Sequence, residues 1–155
     1  MQSETHGHFF EQCFEDMKPR LKKSVLVIDT SHISMCAEYY QQPRKKYKWM
    51  RYINKNFNKI PKSLESFEYF LELSREKIFW FHLSEATGFE GKDEGKEIGT
   101  PNGLIDWKWL EQFIQILENE GKKVYGVIEI VDSHKDYSKI QKSIKHLKKY
   151  YPGMI

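Results

Sequence analysis

Three short apolar runs, each closed by an ionisable residue, constrain the fold of this 155-residue chain more than any other feature. The runs span 24–29, 77–82 and 124–129 and are rich in β-branched or aromatic residues. Successive positions are apolar instead of alternating with polar ones, which is typical of strands buried on both faces of a parallel sheet. We therefore expect three strands of one parallel sheet.

Amphipathic helical patterns lie between and after these runs. They span roughly 9–21, 64–75, 107–119 and 136–150, as the spacing of their apolar residues indicates. Asp106 is placed to cap the third helix at its N-terminus, and Gly121 is placed to end it. A chain that alternates buried strands with helices forms parallel βα units with right-handed crossovers.

The choice between a doubly wound sheet and a barrel depends on where the polar groups collect. No GxGxxG or GxxxxGKS/T motif follows any run, so the phosphate-cradling turn of doubly wound nucleotide binders is missing. An acid or a histidine instead ends every strand, as a barrel active site requires at its C-terminal mouth. Four helices do not close an eight-stranded barrel, and residues 1–4 look like the tail of a strand. The expected fold class is α/β, the C-terminal half (strands five to eight) of a (β/α)8 TIM barrel, with residues 1–155 as one partial domain.

The strand ends supply a candidate metal site. Residues at the carboxyl ends of neighbouring parallel strands meet at one edge of a sheet, and the candidates there are Glu4, Asp29, His82 and Glu129. Three carboxylates and one imidazole make a mostly oxygen donor set, which suits Mn, Mg or Co better than Zn. Such a metal assists proton transfer next to a sugar carbonyl, with Glu4 and Glu129 as the predicted acid/base pair. His32, three residues beyond Asp29, is placed to reach a substrate oxygen or a second metal.

Several motifs surround these residues, and together they point to a known family. They are Asp29-Thr-Ser-His32, His82-Leu-Ser-Glu85, Lys92-Asp-Glu-Gly-Lys-Glu-Ile-Gly99, Gly103-Leu-Ile-Asp-Trp107, Ile128-Glu129 and Glu4-Thr-His-Gly-His8. This order resembles the xylose isomerase-like TIM-barrel superfamily, which includes sugar-phosphate isomerases and epimerases, ketose 3-epimerases and endonuclease IV-type repair nucleases. The match covers nearly all of this chain but only the second half of the family's barrel.

The resemblance implies particular roles for the site residues. Ketose epimerases of the family bind one metal through a glutamate, an aspartate, a histidine and a second glutamate, carried here by Glu4, Asp29, His82 and Glu129. The residues predicted to contact the substrate are His32, His6, Glu85 and Asp93. The endonuclease branch has further zinc ligands in a D-x-H motif, and the corresponding place here reads Asp93-Glu94-Gly95, without a histidine. The isomerase branch is therefore favoured.

The leading functional prediction is a metal-dependent isomerase or epimerase of a sugar or sugar phosphate, working as a homo-oligomer or with a separately encoded N-terminal half. Two alternatives stay open: an inactive or incomplete barrel fragment that needs a partner half, and an endonuclease IV-like DNA repair nuclease. No window approaches the roughly 18 apolar residues of a membrane span. Neither of the two cysteines belongs to a CxxC pair and no secretory signal is evident, so a cytoplasmic location is expected.

Basic residues are concentrated in two places. A predicted insertion at about 39–62 follows strand six, and the stretch between Glu38 and Glu65 holds eight Lys or Arg, from Arg44 to Lys62, with no acid. With its interleaved aromatic residues, this stretch is either a solvated insertion or a surface at the barrel mouth that meets a substrate phosphate or a sugar-linked nucleotide. Four lysines of the last helix are predicted to form its solvated face: Lys142, Lys145, Lys148 and Lys149.

Overall fold

The structure is a computed structural model that describes residues 2–4, 18, 25–41, 65–88 and 91–152. This part of the chain is a mixed α/β fold built on a parallel sheet of four strands, arranged in chain order. The strands are β1 (Gln2–Glu4), β2 (Val25–Asp29), β3 (Ile78–Leu83) and β4 (Tyr125–Ile128). Within the described ranges, no helix is long and apolar enough to cross a membrane.

The predicted strands are confirmed, each within one residue at either end. Residues 2–4 of the predicted tail form β1, which pairs in parallel with β2. Strands in chain order, each parallel to the one before, are what consecutive right-handed βα units produce. The mixed α/β class is therefore confirmed, while closure into a barrel stays a prediction.

Four α-helices belong to the described part of the chain: α1 (Thr30–Tyr40), α2 (Phe67–Ser74), α3 (Trp107–Asn119) and α4 (Ser138–Leu147). The last three confirm the predicted helices, with α2 and α4 shorter at both ends. Helix α1 was not predicted, and it takes in the first two residues of the predicted insertion at 39–62. The rest of that insertion, including Arg44 to Lys62, lies outside the described residues, as does the helix predicted at 9–21 apart from Lys18.

Capping residues set the starts of the helices that flank the core. The Asp106 carboxylate accepts hydrogen bonds from the backbone N–H groups of Lys108 and Trp109, both at 3.0 Å, so α3 begins where the sequence predicts. Gly121 follows the helix with φ +78°, a left-handed conformation that glycine adopts without steric cost. Ser66 caps α2 in the same way, accepting from the N–H of Tyr69 at 3.1 Å.

The core lies between the sheet and helices α2 and α3. Phe70 and Leu71 of α2 and Phe81 of β3 are fully buried in it. Trp109 of α3 stacks on Phe113 with ring centroids 5.2 Å apart. It also meets Phe67 of α2 in a T-shaped arrangement with ring centroids 6.4 Å apart. Burial of each large apolar side chain contributes about 1.5 to 3 kcal/mol, so these contacts hold the helices against the sheet.

Strand β4 departs from the prediction that every strand is buried on both faces. Tyr125 and Val127, which share one face of the strand, are 44% and 43% exposed. β4 is an outer strand of the described sheet and pairs with β3 along one side. The apolar run of β4 therefore includes a surface that the described part of the chain leaves open to solvent.

Candidate metal centre

Three ionisable residues lie at the carboxyl ends of neighbouring parallel strands. Asp29 ends β2 and stands opposite His82 of β3 in the strand register. Glu129 directly follows β4, and its N–H donates to the carbonyl oxygen of Leu83 at 3.0 Å, which extends the ladder by one step. The sheet thus brings residues that are far apart in sequence to one edge, as the alternation of strands and helices requires.

The side chains of these three residues form one cluster. Asp29, His82 and Glu129 each offer a ligand atom, and these atoms all lie within 4.8 Å of one another. The Nδ1 atom of His82 is 2.6 Å from Oε2 of Glu129. Asp29 is buried, whereas the Glu129 side chain is 61% exposed, so the cluster opens to solvent on the side of β4.

The donor set of the cluster fits a divalent metal ion. Two carboxylate oxygens and one imidazole nitrogen are ligands that Mn, Mg, Co and Zn accept in proteins. An ion with bonds of about 2.1 Å holds ligand atoms up to about 4.2 Å apart, which is close to the separation in the cluster. The ligand atoms of the cluster lie within the somewhat wider limit of 4.8 Å, so binding one ion would require the side chains to move.

Asp29 is also the N-cap of helix α1. Its Oδ1 accepts from the backbone N–H of His32 at 3.1 Å and from the hydroxyl of Ser31 at 3.0 Å. A carboxylate has about four acceptor positions, so capping leaves room for a metal bond. The two uses of Asp29 are therefore compatible, and the cap holds its carboxylate in place.

His32 lies beside the cluster between two carboxylates. Its Nδ1 is 3.1 Å from Oδ2 of Asp29, and its Nε2 is 3.1 Å from Oε2 of Glu94. Asp29 caps α1 and His32 lies in the first turn of that helix, which is why they are neighbours in space. Glu94 was not singled out in the sequence, although its neighbour Asp93 was.

Thr30 joins the start of α1 to the end of β3. Its fully buried hydroxyl is 3.1 Å from the carbonyl oxygen of His82 and 2.7 Å from that of Ser84, and it accepts from the Ser84 N–H at 3.0 Å. These bonds fix the ends of β2 and β3 relative to each other. Thr30 therefore positions Asp29 and His82, a role that no sequence motif indicated.

The remaining predicted site residues lie elsewhere or outside the described part. The Cα of Glu4 pairs with that of Val27 in the sheet register, two residues before Asp29. The Glu4 side chain lies outside the part of the chain that the structure describes. His6 lies outside the described residues. Asp93 accepts a hydrogen bond from the Thr87 hydroxyl at 3.4 Å and lies close to Gly88.

Glu85 is buried and its carboxylate is held by three N–H donors. They are the Trp107 indole at 2.6 Å and the backbone N–H groups of Ala86 and Ile105, both at 3.1 Å. Only 1% of the residue is exposed, so in this arrangement Glu85 ties the loop after β3 to the start of α3. Contact of Glu85 with a substrate stays a prediction that would require this loop to move.

Comparisons with known proteins find no significant match to this chain. No protein-family model matches the chain, and neither a curated protein nor a solved structure matches it at a significant level. The resemblance carried by the motifs therefore stays a prediction.

We expect Glu85→Gln to lower the free energy of unfolding at pH 7 by about 1 to 2 kcal/mol, because the amide NH2 faces a buried N–H donor that loses its acceptor. Burial raises the pKa of the Glu85 carboxyl, although its N–H donors act in the opposite direction. The folded state then binds the Glu85 proton more tightly than the unfolded state does. Proton binding by Glu85 therefore adds stability at pH values below its ordinary pKa, and this added stability is lost as the pH rises through the raised pKa. The advantage of the wild type over Glu85→Gln should therefore widen as the pH falls from 7 to below 4.5.

Urea denaturation at several pH values measures the free energy of unfolding of each protein. The contributions of all other titrating groups cancel in the difference between the two proteins. Glu72→Gln, which changes an exposed carboxylate on α2, is the matched control and should track the wild type. An advantage that narrows on acidification would contradict the assignment of a buried, proton-binding carboxyl to Glu85.

Proposed function

We propose that this chain is an isomerase or epimerase of a sugar or sugar phosphate that uses one divalent ion, Mn, Mg or Co. The proposed ligands are Asp29, His82, Glu129 and, from strand β1, Glu4. The observation that carries the proposal is the convergence of the first three on one sheet edge, with ligand atoms within 4.8 Å of one another. The carboxyl ends of parallel strands are also where α/β proteins bind their ligands.

A bound ion would polarise the sugar carbonyl and stabilise the negative charge that develops on its oxygen. Glu129 is proposed to remove the proton from the carbon next to the carbonyl, since its exposed carboxylate is the one that a substrate can approach. His82, 2.6 Å from that carboxylate, orients it. Glu4 belongs to the other outer strand of the described sheet and is proposed to return the proton.

The barrel prediction belongs to this proposal. A four-stranded parallel sheet in chain order, with its ionisable residues at the carboxyl edge, supports the C-terminal half of a (β/α)8 barrel. Tyr125 and Val127 of β4 and Val25 of β2 are exposed apolar residues of that sheet. Such residues and an open strand edge favour association, either with a second copy of the chain or with a separately encoded N-terminal half.

We expect the 155-residue chain on its own to associate and not to behave as a stable monomer, because the open face of β4 is apolar. Light scattering coupled to size-exclusion chromatography measures the mass. Val127→Lys should shift the distribution toward monomer, whereas Ile116→Lys, at an exposed apolar position on α3, should not. A single monomeric species of the wild type with cooperative unfolding would contradict the half-barrel account.

Proton exchange in D2O tests the proposed activity before the substrate is known. The chain is incubated with Mn²⁺ and a panel of aldoses, ketoses and their phosphates, and deuterium at the carbon next to the carbonyl is followed by NMR. The proposal predicts metal-dependent exchange with at least one sugar. If the ion binds but no sugar exchanges, the inactive-fragment alternative replaces the isomerase proposal.

A further inference from the structure

A small cleft with basic side chains in its lining lies between helix α4 and the loop at 97–101, and it shares no residue with the metal cluster. Its volume is about 250 Å³, below the range of about 300 to 1,000 Å³ that is usual for drug-sized ligands. Helix α4 and the turn after it contribute the cationic and titratable side chains, and these are Lys142, Lys145, His146 and Lys149. Their spacing of three or four residues places them along one side of the helix.

The shape of the cleft is set by close contacts between the loop and the helix. The N–H of Ile98 donates to the hydroxyl of the fully buried Ser143 at 2.9 Å, which ties the loop to α4. Gly99 has φ +81° and packs directly on His146, since a Cβ at this position would come within 2.1 Å of the imidazole Nδ1. The loop therefore approaches the helix at a residue where only glycine fits.

The cleft carries a net positive charge. Its three lysines are opposed by one carboxylate, that of Glu97, which lies 3.6 Å from the Nζ atom of Lys142. With His146 neutral, these side chains give the cleft a net charge of +2. Burial and, after it, the charge of Lys149 lower the pKa of His146, whose ring also contacts Tyr150 at a centroid distance of 5.5 Å. His146 thus lies in a positive environment that disfavours its imidazolium form, and a bound anion would offset this repulsion.

The capping of a helix C-terminus explains only part of this arrangement. Basic residues in the last turn stabilise the terminal carbonyl groups, and Lys145 and His146 occupy that turn. Lys142 precedes that turn and Lys149 follows the helix, yet both line the cleft. The lysines therefore gather around the loop at 97–101 as well as around the helix end.

We propose that this cleft binds the phosphate group of a small phosphomonoester or of inorganic phosphate. Lysine is a compact charge with three N–H donors and is well suited to phosphate oxygens. Lys145 and Lys149 make the main contacts, because Lys142 is shared with Glu97. No residue of the cleft belongs to the metal cluster, so this site is independent of the proposed isomerase activity.

Histidine NMR titrations test the site directly, with no metal added. Inorganic phosphate should raise the pKa of His146 in a saturable manner by about half a pH unit, relative to chloride at equal ionic strength, because a nearby anion favours the imidazolium form. Glucose 6-phosphate and glucose are compared in the same way, and only the former should act. If glucose 6-phosphate acts at lower concentration than phosphate, the natural ligand is a phosphomonoester; if not, it is free phosphate.

Two double variants that each remove two positive charges distinguish the effect of the cleft lysines from the effect of the net charge of the chain. Lys145→Gln with Lys149→Gln should abolish the rise, whereas Lys108→Gln with Lys148→Gln, which changes exposed lysines outside the cleft, should keep it. The exposed His134 serves as an internal reference. The proposal is overturned if His146 does not respond in the wild type, if His134 responds equally, or if both double variants respond alike.

Discussion

Replacing Glu129 by glutamine is expected to lower isomerase or epimerase turnover by about 100-fold or more, which is the usual scale for the loss of a general base. The amide keeps the shape of the side chain but cannot take up and release a proton at pH 7. Its amide oxygen is a weaker metal ligand than a carboxylate, so the rates are compared at Mn²⁺ concentrations that saturate each protein. The rate of deuterium exchange next to the sugar carbonyl, measured with Mn²⁺ present, gives the size of the effect.

The matched control is Glu118→Gln, at an exposed carboxylate on α3 that is outside the cluster, and it should exchange at the wild-type rate. Full turnover by Glu129→Gln would show that Glu129 is at most a ligand. The mechanism with two carboxylates would then be wrong, even if the metal site itself were correct.

Mn²⁺ at 100 times its dissociation constant is expected to raise the free energy of unfolding by about 2.7 kcal/mol, because an ion that binds only the folded state stabilises it by mass action. Asp29→Ala and Glu129→Ala should each remove this increment. Asp29→Ala should also cost about 1 kcal/mol without metal, since Asp29 caps helix α1. Denaturation with and without Mn²⁺ separates the two effects.

Asp29→Asn sharpens this test. Asparagine is as good an N-cap as aspartate but is a weaker metal ligand, so the variant should match the wild type without Mn²⁺ and gain little when it is added. An equal gain in the wild type and in all three variants would place the ion elsewhere on the chain.

Much of the fold was predictable because its signals are local. The strands are short continuous apolar runs, and α3 has a strong apolar stripe between a capping aspartate, Asp106, and a terminating glycine, Gly121. Helix α1 lacks such a stripe, since Ile33, Met35 and Cys36 are all buried and lie on different sides of the helix. Its start signal is Asp29, an N-cap residue that the pattern of strand ends assigned to the metal site.

The site was predictable only as far as the strand ends determine it. Asp29 and His82 follow from one rule, namely that the carboxyl ends of parallel strands meet at one edge. The contact between His32 and Glu94 spans 62 residues and depends on the path of the loop after β3. The Thr30 hydroxyl meets the carbonyl oxygen of Ser84 across 54 residues. No periodicity or motif encodes contacts of this kind, because they depend on how separate loops pack.

Pulsed electron paramagnetic resonance of bound Mn²⁺ tests the metal centre most directly, because a coordinated imidazole nitrogen modulates the electron spin echo. We predict one Mn²⁺ per chain, with a nitrogen modulation that is lost in His82→Gln and retained in His32→Gln. A spectrum of hexaaqua Mn²⁺ only, or a modulation that survives in His82→Gln, would contradict this prediction.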